Sequence, residues 1–187
     1  MRDVIIRENL IPENVCNNII MAHKTKMEEG YFRIDDSASG FDGRVLDWRD
    51  APSNIQKNCW IFGYSFSGIL STFYDEGPIY PETIHITKWS KGDELPLHGD
   101  AEYYPDGNPN YCSWRSHSMV LFLNNIEVDF TGGEFFFHSG LHVSPSTGTI
   151  VGFDSSIYHA HGVRPVLSGD RYTVAFWYTM DKNKRLF

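Results

Sequence analysis

Apolar positions along the chain fall at helical spacing first and at strand-like spacing later. In LIPENVCNNIIMAHKTKMEEG, residues 10–30, Val15, Ile19, Ile20 and Met27 recur at intervals close to a helical turn. Pro12 and Glu13 suit the first turn of that helix, and Gly30 can end it. A second helix is predicted within residues 53–76, although its Asn, Gln, Trp, Phe, Leu and Tyr content gives a less distinct stripe. From residue 83 the texture changes to short pieces rich in β-branched and aromatic residues, separated by Gly, Pro, Asp and Asn. TIHITKW, SHSMVLFLNN, GEFFFH, GTIVGF, YHAHGVRPV and RYTVAFWYT read as strands. The pattern predicts an α+β chain, mainly β, with a sandwich or barrel buttressed by N-terminal helices. The chemistry is expected in the β half.

Composition narrows the function classes. A chain of 187 residues suits one domain with a sizeable core. Aromatic content of 15% with 21% charged residues predicts a folded globule rather than a disordered tail. A formal net charge of -8 argues against nucleic acid as a partner, because phosphate binding needs a concentrated basic surface. Cys16, Cys59 and Cys112 are far apart and form no Cys-x-x-Cys pair, so free thiols in a reducing compartment are expected. The opening MRDVIIRENL is too interrupted for a signal peptide, and no apolar run approaches the roughly 20 residues of a membrane span. The expectation is a soluble, cytoplasmic protein with no membrane partner; the sequence leaves its oligomeric state open.

The candidate chemistry begins in LPLHGDAEYY. His98 and Asp100 are two apart, so on an extended strand they leave from one face, and a bend at Gly99 still lets the carboxylate reach the same point. An imidazole and a carboxylate supply two thirds of a facial triad, a set that suits iron(II) because half of its coordination positions stay open. Alone, His-x-Asp is common and more often a polar strand end. The third ligand should be a histidine from a distant strand. His23 reads as a solvated helix residue, His85 and His117 as hydrogen-bonded strand residues, and His138 and His142 as flanking a turn. His159 and His161 remain, and they share a face if residues 157–163 are extended.

Arg171 separates these two. It follows His161 by ten residues across a turn made by Ser168, Gly169 and Asp170, so a hairpin would return it beside the histidine. An arginine inside a β-sandwich is costly unless it meets an anion. A guanidinium fork suits one end of a dicarboxylate whose other end chelates a metal. His161 is therefore the expected ligand, and His159 a supporting or surface residue.

At these residues the chain resembles the 2-oxoglutarate- and iron(II)-dependent oxygenases, in particular their prolyl 4-hydroxylase-like branch. KWSKGDELPLHGD, with a glycine six residues before His98, is similar to that family's first metal segment. RSHSMVLFLNN followed by FTGGEFFF resembles its central strand and Gly-Gly-Glu turn. VSPSTGTIVGFDSSIYHAHGVRPVLSGDRYTVAFWY resembles its C-terminal signature nearly end to end, and ENLIPENVCNNII its first helix. The resemblance implies a double-stranded β-helix, or jelly roll, over about residues 81–182, with a helical part over about residues 1–80, in a single domain. It implies Fe(2+) held by His98, Asp100 and His161, 2-oxoglutarate as co-substrate with its distal carboxylate on Arg171, O2 as oxidant, and ascorbate as a candidate accessory reductant. Trp177 matches a pocket-lining aromatic and Arg115 a substrate-binding arginine. The implied reaction hydroxylates a prolyl residue in a peptide or protein while 2-oxoglutarate is decarboxylated to succinate. A free amino acid, a small metabolite, or a non-catalytic metal-binding role are the alternatives.

Two positions depart from the family pattern. Trp89 stands nine residues before His98, where a tyrosine is common, and Phe135 follows the Gly-Gly-Glu turn, where threonine is frequent. Both remove hydroxyl donors, so Thr173 and Ser118 are expected to serve the co-substrate instead. The loop AEYYPDGNPNYCSW carries Tyr103, Tyr104, Tyr111 and Trp114, which either clasp a peptide or pack the loop onto the sandwich. Residues 31–52 form either a second flap or a surface connection.

Overall fold

After a short strand β1 (Ile5–Arg7), helix α1 (Glu13–Glu28) begins directly at Pro12, whose carbonyl accepts the amides of Val15 at 3.0 Å and Cys16 at 3.2 Å. Proline fits that position because it has no amide to satisfy. In a computed structural model of the chain, residues 4–31, 33–34, 44–101, 112–144 and 146–186 are described. Cys16, Ile19, Ile20 and His23 form the buried face of α1, at three- and four-residue spacing. His23, expected to be solvated, lies fully inside, with Nε2 3.1 Å from the Arg44 carbonyl.

Strands β2 (Arg33–Ile34) and β3 (Arg44–Asp47) lead to helix α2 (Ser53–Tyr74). Ile55, Cys59, Phe66, Leu70 and Tyr74 make its buried stripe, and Asp75 ends it in the left-handed region at φ 52°. Eleven described elements follow in strand form or as turns between strands. They include β4 (Tyr80–Trp89), β5 (Leu95–His98), β6 (Arg115–Phe122), β7 (Phe130–Gly132), β8 (Phe135–Phe137) and β9 (His142–Val143). The last strands are β10 (Ile150–Asp154), β11 (His161–Val163), β12 (Val166–Gly169) and β13 (Arg171–Thr179).

Among the described residues the strands form a seven-stranded sheet in the order β1-β10-β6-β13-β4-β3-β2, a four-stranded sheet β5-β11-β8-β9, and the pair β12-β7. The pairings within named strands are antiparallel. The result is a mixed α+β fold dominated by antiparallel sheets with N-terminal helices.

Strand β13 shows why the large sheet has two different faces. Tyr172, Val174, Phe176 and Tyr178 pack into one core with Ile19, Ile55, Phe66 and Leu70 of the helices. The alternate residues, Arg171, Thr173 and Trp177, face the other way. On that side a second core joins Phe122, Val151 and Phe153 of the large sheet to Phe135, Phe137 and Val163 of the small one. Burying each such Phe or Val side chain contributes roughly 1.5–3 kcal/mol.

Two expectations need correction. YHAHGVRPV is not one strand: Ile157–His159 is a single 3-10 turn, β11 starts only at His161, and β12 begins at Val166. His159 and His161 therefore do not share a strand face. Nor does a hairpin return Arg171 beside His161. Strand β11 pairs with β5 and β8, whereas β13 pairs with β4 and β6, so the chain changes sheets between the two residues. Of residues 31–52, read as either a flap or a surface connection, β3 extends the large sheet beside β4, and residues 35–43 lie outside the described residues.

Candidate metal centre

His98 and His161 are direct partners in the β5–β11 ladder, which sets their rings at 4.5 Å between centroids. Strand β5 stops at His98, and Asp100 sits beyond it rather than on it. The turn after the strand is held from two sides. The Ala101 amide donates to the Ser155 carbonyl at 2.9 Å, and Gly99 lies so close to the Ile157 backbone that a Cβ there would be 3.3 Å from Ile157 Cα. This places the carboxylate between the imidazoles, with Oδ1 3.6 Å from His98 Nε2 and Oδ2 3.7 Å from His161 Nε2. One donor atom from each residue falls within 4.8 Å of the others, a spacing able to hold a metal ion.

The opposite ring nitrogens fix the tautomers. His98 Nδ1 donates to the Pro96 carbonyl at 3.0 Å, and His161 Nδ1 to the His159 carbonyl at 3.1 Å. A carbonyl can only accept, so each Nδ1 carries a proton and each Nε2 is the ring nitrogen turned inward towards Asp100. Burial lowers the His161 pKa to about 4, a fall that the nearby Asp100 carboxylate opposes and His98 reinforces. Burial opposes the charge on Asp100, but the flanking imidazoles hold its carboxyl well below the usual carboxylate range. Two imidazoles and one carboxylate form a 2-His-1-carboxylate facial triad.

Across the inter-sheet core lies Arg171, only 1% exposed. Its guanidinium is stacked 5.1 Å from the Trp89 ring and 5.3 Å from Phe122. Nε and Nη1 reach no hydrogen-bond partner among the described residues, and burial pushes the pKa down to about 9. The surroundings make room for this side chain. Gly133, at φ +68°, would bring a Cβ within 3.0 Å of Arg171 Cδ, so the Gly-Gly turn is shaped by the arginine. At the neck of the strand, the Asn124 side chain donates to the Asp170 carbonyl at 2.8 Å and accepts the Tyr172 amide at 2.9 Å. A buried guanidinium with open donors calls for an anion.

The hydroxyls expected beside it have partners. Thr173 Oγ1 accepts the Trp89 indole N–H at 3.2 Å, which leaves its own proton to donate, and Ser118 Oγ shares a 2.8 Å hydrogen bond with Ser155 Oγ. Phe135 stacks against His161, with centroids 5.2 Å apart. Trp177 lies under the Arg115 guanidinium at 4.6 Å, and Arg115 pairs with Glu82 at 3.1 Å. Trp114 is covered by Lys184 Nζ at 4.0 Å, and its carbonyl accepts the Thr179 hydroxyl at 3.0 Å. Tyr103, Tyr104 and Tyr111 lie outside the described residues. Of the other histidines, His138 and His142 are exposed, His117 is buried opposite Glu76, and His85 packs on Trp177. A cleft of about 850 Å³ opens beside Gly99 and Ala101, with Arg115, Ser116, His117 and Asp154 in its walls.

Sequence reasoning missed the partner of His159. That ring is buried, with Nδ1 2.9 Å from Asp154 Oδ2. Burial works against the Asp154 charge, but the His159 imidazole 2.9 Å away and the hydrogen bonds from Ser156 bring its pKa down to about 2. The acid–x4–His spacing in DSSIYH was the available signal, and it is informative only once the intervening residues are known to turn.

The sequence model described as "2OG-Fe(II) oxygenase superfamily" matches residues 84–179, just over half of the chain. The chain belongs to this superfamily. Among curated proteins it is similar to prolyl 3-hydroxylase 1 of Homo sapiens, at 37% identity over 79 residues, covering 39% of this chain and 10% of that protein. It is also similar to prolyl 3-hydroxylase 2 of Gallus gallus, at 34% identity over 98 residues, covering 46% and 14%. The chain thus spans about a tenth of the length of the first of these relatives. Among solved structures, a prolyl hydroxylase of Trichoplax adhaerens in complex with a hypoxia inducible factor peptide fragment superposes with a TM-score of 0.75 at 16% identity, covering 99% and 86%. The viral collagen prolyl hydroxylase of Paramecium Bursaria Chlorella virus-1 gives 0.71 at 15%, covering 94% of each chain. At such identity the likeness concerns the fold. Fold and facial triad together support iron(II)- and 2-oxoglutarate-dependent dioxygenase chemistry. None of the described helices is long and apolar enough to cross a membrane.

Proposed function

We propose that the chain is an iron(II)- and 2-oxoglutarate-dependent dioxygenase that hydroxylates a prolyl residue in a peptide or protein. The observation that carries the co-substrate is Arg171: a buried guanidinium with unsatisfied donors across the core from a facial triad. In this reading His98, Asp100 and His161 hold the iron through two Nε2 atoms and a carboxylate oxygen. Arg171 pairs with the distal carboxylate of 2-oxoglutarate, aided by the Thr173 hydroxyl, with Trp89, Ser118 and Trp177 lining the pocket. Iron(II) with 2-oxoglutarate and oxygen supplies an oxidative decarboxylation that yields succinate and carbon dioxide and places one oxygen atom on a substrate C–H bond. The phenylalanine-rich inter-sheet core excludes water from this chemistry.

The prolyl substrate rests on the relatives and on the fold, and Arg115 beside Trp177 is the proposed substrate contact. Trp114 is a proposed aromatic substrate contact, and the same role expected from the sequence for Tyr103 and Tyr104 falls outside the described residues. The motifs favour a prolyl 4-hydroxylase-like branch, whereas the curated relatives are prolyl 3-hydroxylases, which favours the 3-position as the second reading. We assign the two facing sheets to a jelly roll within one domain over residues 1–187. Three buried free cysteines suit a cytoplasmic setting.

The test is a succinate-release assay with iron(II) and 2-oxoglutarate against proline-rich peptides and free amino acids, followed by product analysis. A peptide gaining one oxygen on proline is expected, and the position of the new hydroxyl separates the two branches. Succinate release stimulated by a free amino acid and by no peptide would replace the peptidyl substrate.

A further inference from the structure

We infer that Asp154 and His159 are positioning residues that set two of the three triad side chains through one short turn. The inference rests on the metal role proposed above for His98, Asp100 and His161. The turn between β10 and β11 touches the triad at three points. The His159 carbonyl accepts the His161 Nδ1 proton, which fixes that imidazole's tautomer and orientation. The Ser155 carbonyl accepts the amide of Ala101, the residue after Asp100. The Ile157 backbone packs against Gly99, the residue before it.

The shape of this turn depends on Asp154. Its Oδ1 accepts the Ser156 amide at 3.0 Å and also the Ser156 hydroxyl, while Oδ2 meets His159 Nδ1 at 2.9 Å. One carboxylate thereby ties both ends of the Ser156–His159 turn, which is closed by the His159 amide on the Ser156 carbonyl at 3.0 Å. The His159 ring lies near the Phe137 and Phe153 rings, at 6.3 and 6.4 Å, in a pocket that an apolar side chain would also fill. A buried imidazole against a carboxylate costs desolvation that an apolar residue avoids. The polar pair gains its place by orienting the carbonyl that His161 uses. Outer hydrogen-bond partners of metal histidines act in this way, and their loss weakens metal binding by roughly 10–100-fold.

The experiment titrates the metal-free protein with cobalt(II), an oxygen-stable probe, and reads both affinity and the visible spectrum of the bound ion. His159→Asn keeps an N–H donor near the Nδ1 position, whereas His159→Phe keeps the volume and loses the donor. Packing alone would favour phenylalanine. We expect the opposite order: His159→Asn close to wild type, and His159→Phe weaker by roughly 10-fold with a shifted spectrum. Asp154→Ala, on a half-buried side chain, should lose affinity by a similar factor, and the double variant Asp154→Ala/His159→Phe no more than either alone. Urea unfolding of each metal-free variant separates these losses from lost folding. Equal affinity of His159→Phe and His159→Asn, or wild-type affinity and spectrum in Asp154→Ala, would overturn the inference and leave the triad standing. Wild-type protein that binds no cobalt(II), or binds it unchanged in His161→Ala, would overturn both.

Discussion

His98 and His161 face each other directly across the β5–β11 ladder, and each donates its Nδ1 proton to the carbonyl two residues before it. The same local device on two strands turns both Nε2 atoms towards Asp100. Alanine at His98, Asp100 or His161 should therefore weaken iron(II) or cobalt(II) binding by more than the roughly 10–100-fold typical of losing an outer hydrogen bond. Calorimetric titration of the metal-free variants checks this. An Asp100→Ala protein with wild-type affinity would place the metal elsewhere.

Arg171→Met should separate co-substrate binding from folding. A buried guanidinium without an anion costs stability, so this variant should be as stable as wild type without ligand, or more stable by up to about 4 kcal/mol. Wild-type, metal-loaded protein should gain about 2.7 kcal/mol at 2-oxoglutarate a hundredfold above its Kd, and the variant none of it. Chemical denaturation with and without 2-oxoglutarate measures both. A large loss of stability in the ligand-free variant would mean that Arg171 already has an internal partner.

Gly133→Ala should weaken 2-oxoglutarate more than its strain alone requires. The residue sits at φ +68° with Arg171 Cδ 3.0 Å from where a Cβ would stand. Gly140, at φ +90° with nothing within 4 Å, is the control. Both substitutions pay on the order of 1–2 kcal/mol for the left-handed backbone. Only Gly133→Ala should also raise the Kd for 2-oxoglutarate; equal Kd values would detach the Gly-Gly turn from the arginine.

His23 gives the fold a pH dependence remote from the metal. Burial lowers its pKa to about 4, against about 6.5 in an unfolded chain. The unfolded state then binds more protons between these values, so stability falls as pH drops through that window. Wild type should lose about 2 kcal/mol more than His23→Asn between pH 7 and pH 5. Parallel urea titrations test this, and identical losses would show that His23 is charged when folded.

Much of this architecture was legible in residue patterns. Both helices follow from apolar spacing, because each buries one regular face. Strands β4, β6, β10 and β13 follow from runs of β-branched and aromatic residues that suit a sheet packed on both sides. The turn at Ile157–His159 was not, since YHAHGV has strand-like composition, and the turn is held by the Asp154 contacts and by the His159 and Ala160 amides on the Ser156 and Ile157 carbonyls. The sheet change before Arg171 was equally hidden: a Ser-Gly-Asp turn reads as a hairpin, and only long-range pairing with β4 and β6 says otherwise. Arg171 itself could be found because a charge within an apolar strand has few reasons to be there. Gly133 could not, since its cause is a side chain 38 positions later.

The most direct measurement is calorimetric titration of 2-oxoglutarate into the iron(II)-loaded protein under anaerobic conditions. Saturable binding at one site per chain is expected, dependent on the metal and lost in Arg171→Met. No binding, or binding that survives both metal removal and Arg171→Met, would contradict a co-substrate site spanning the triad and the buried arginine.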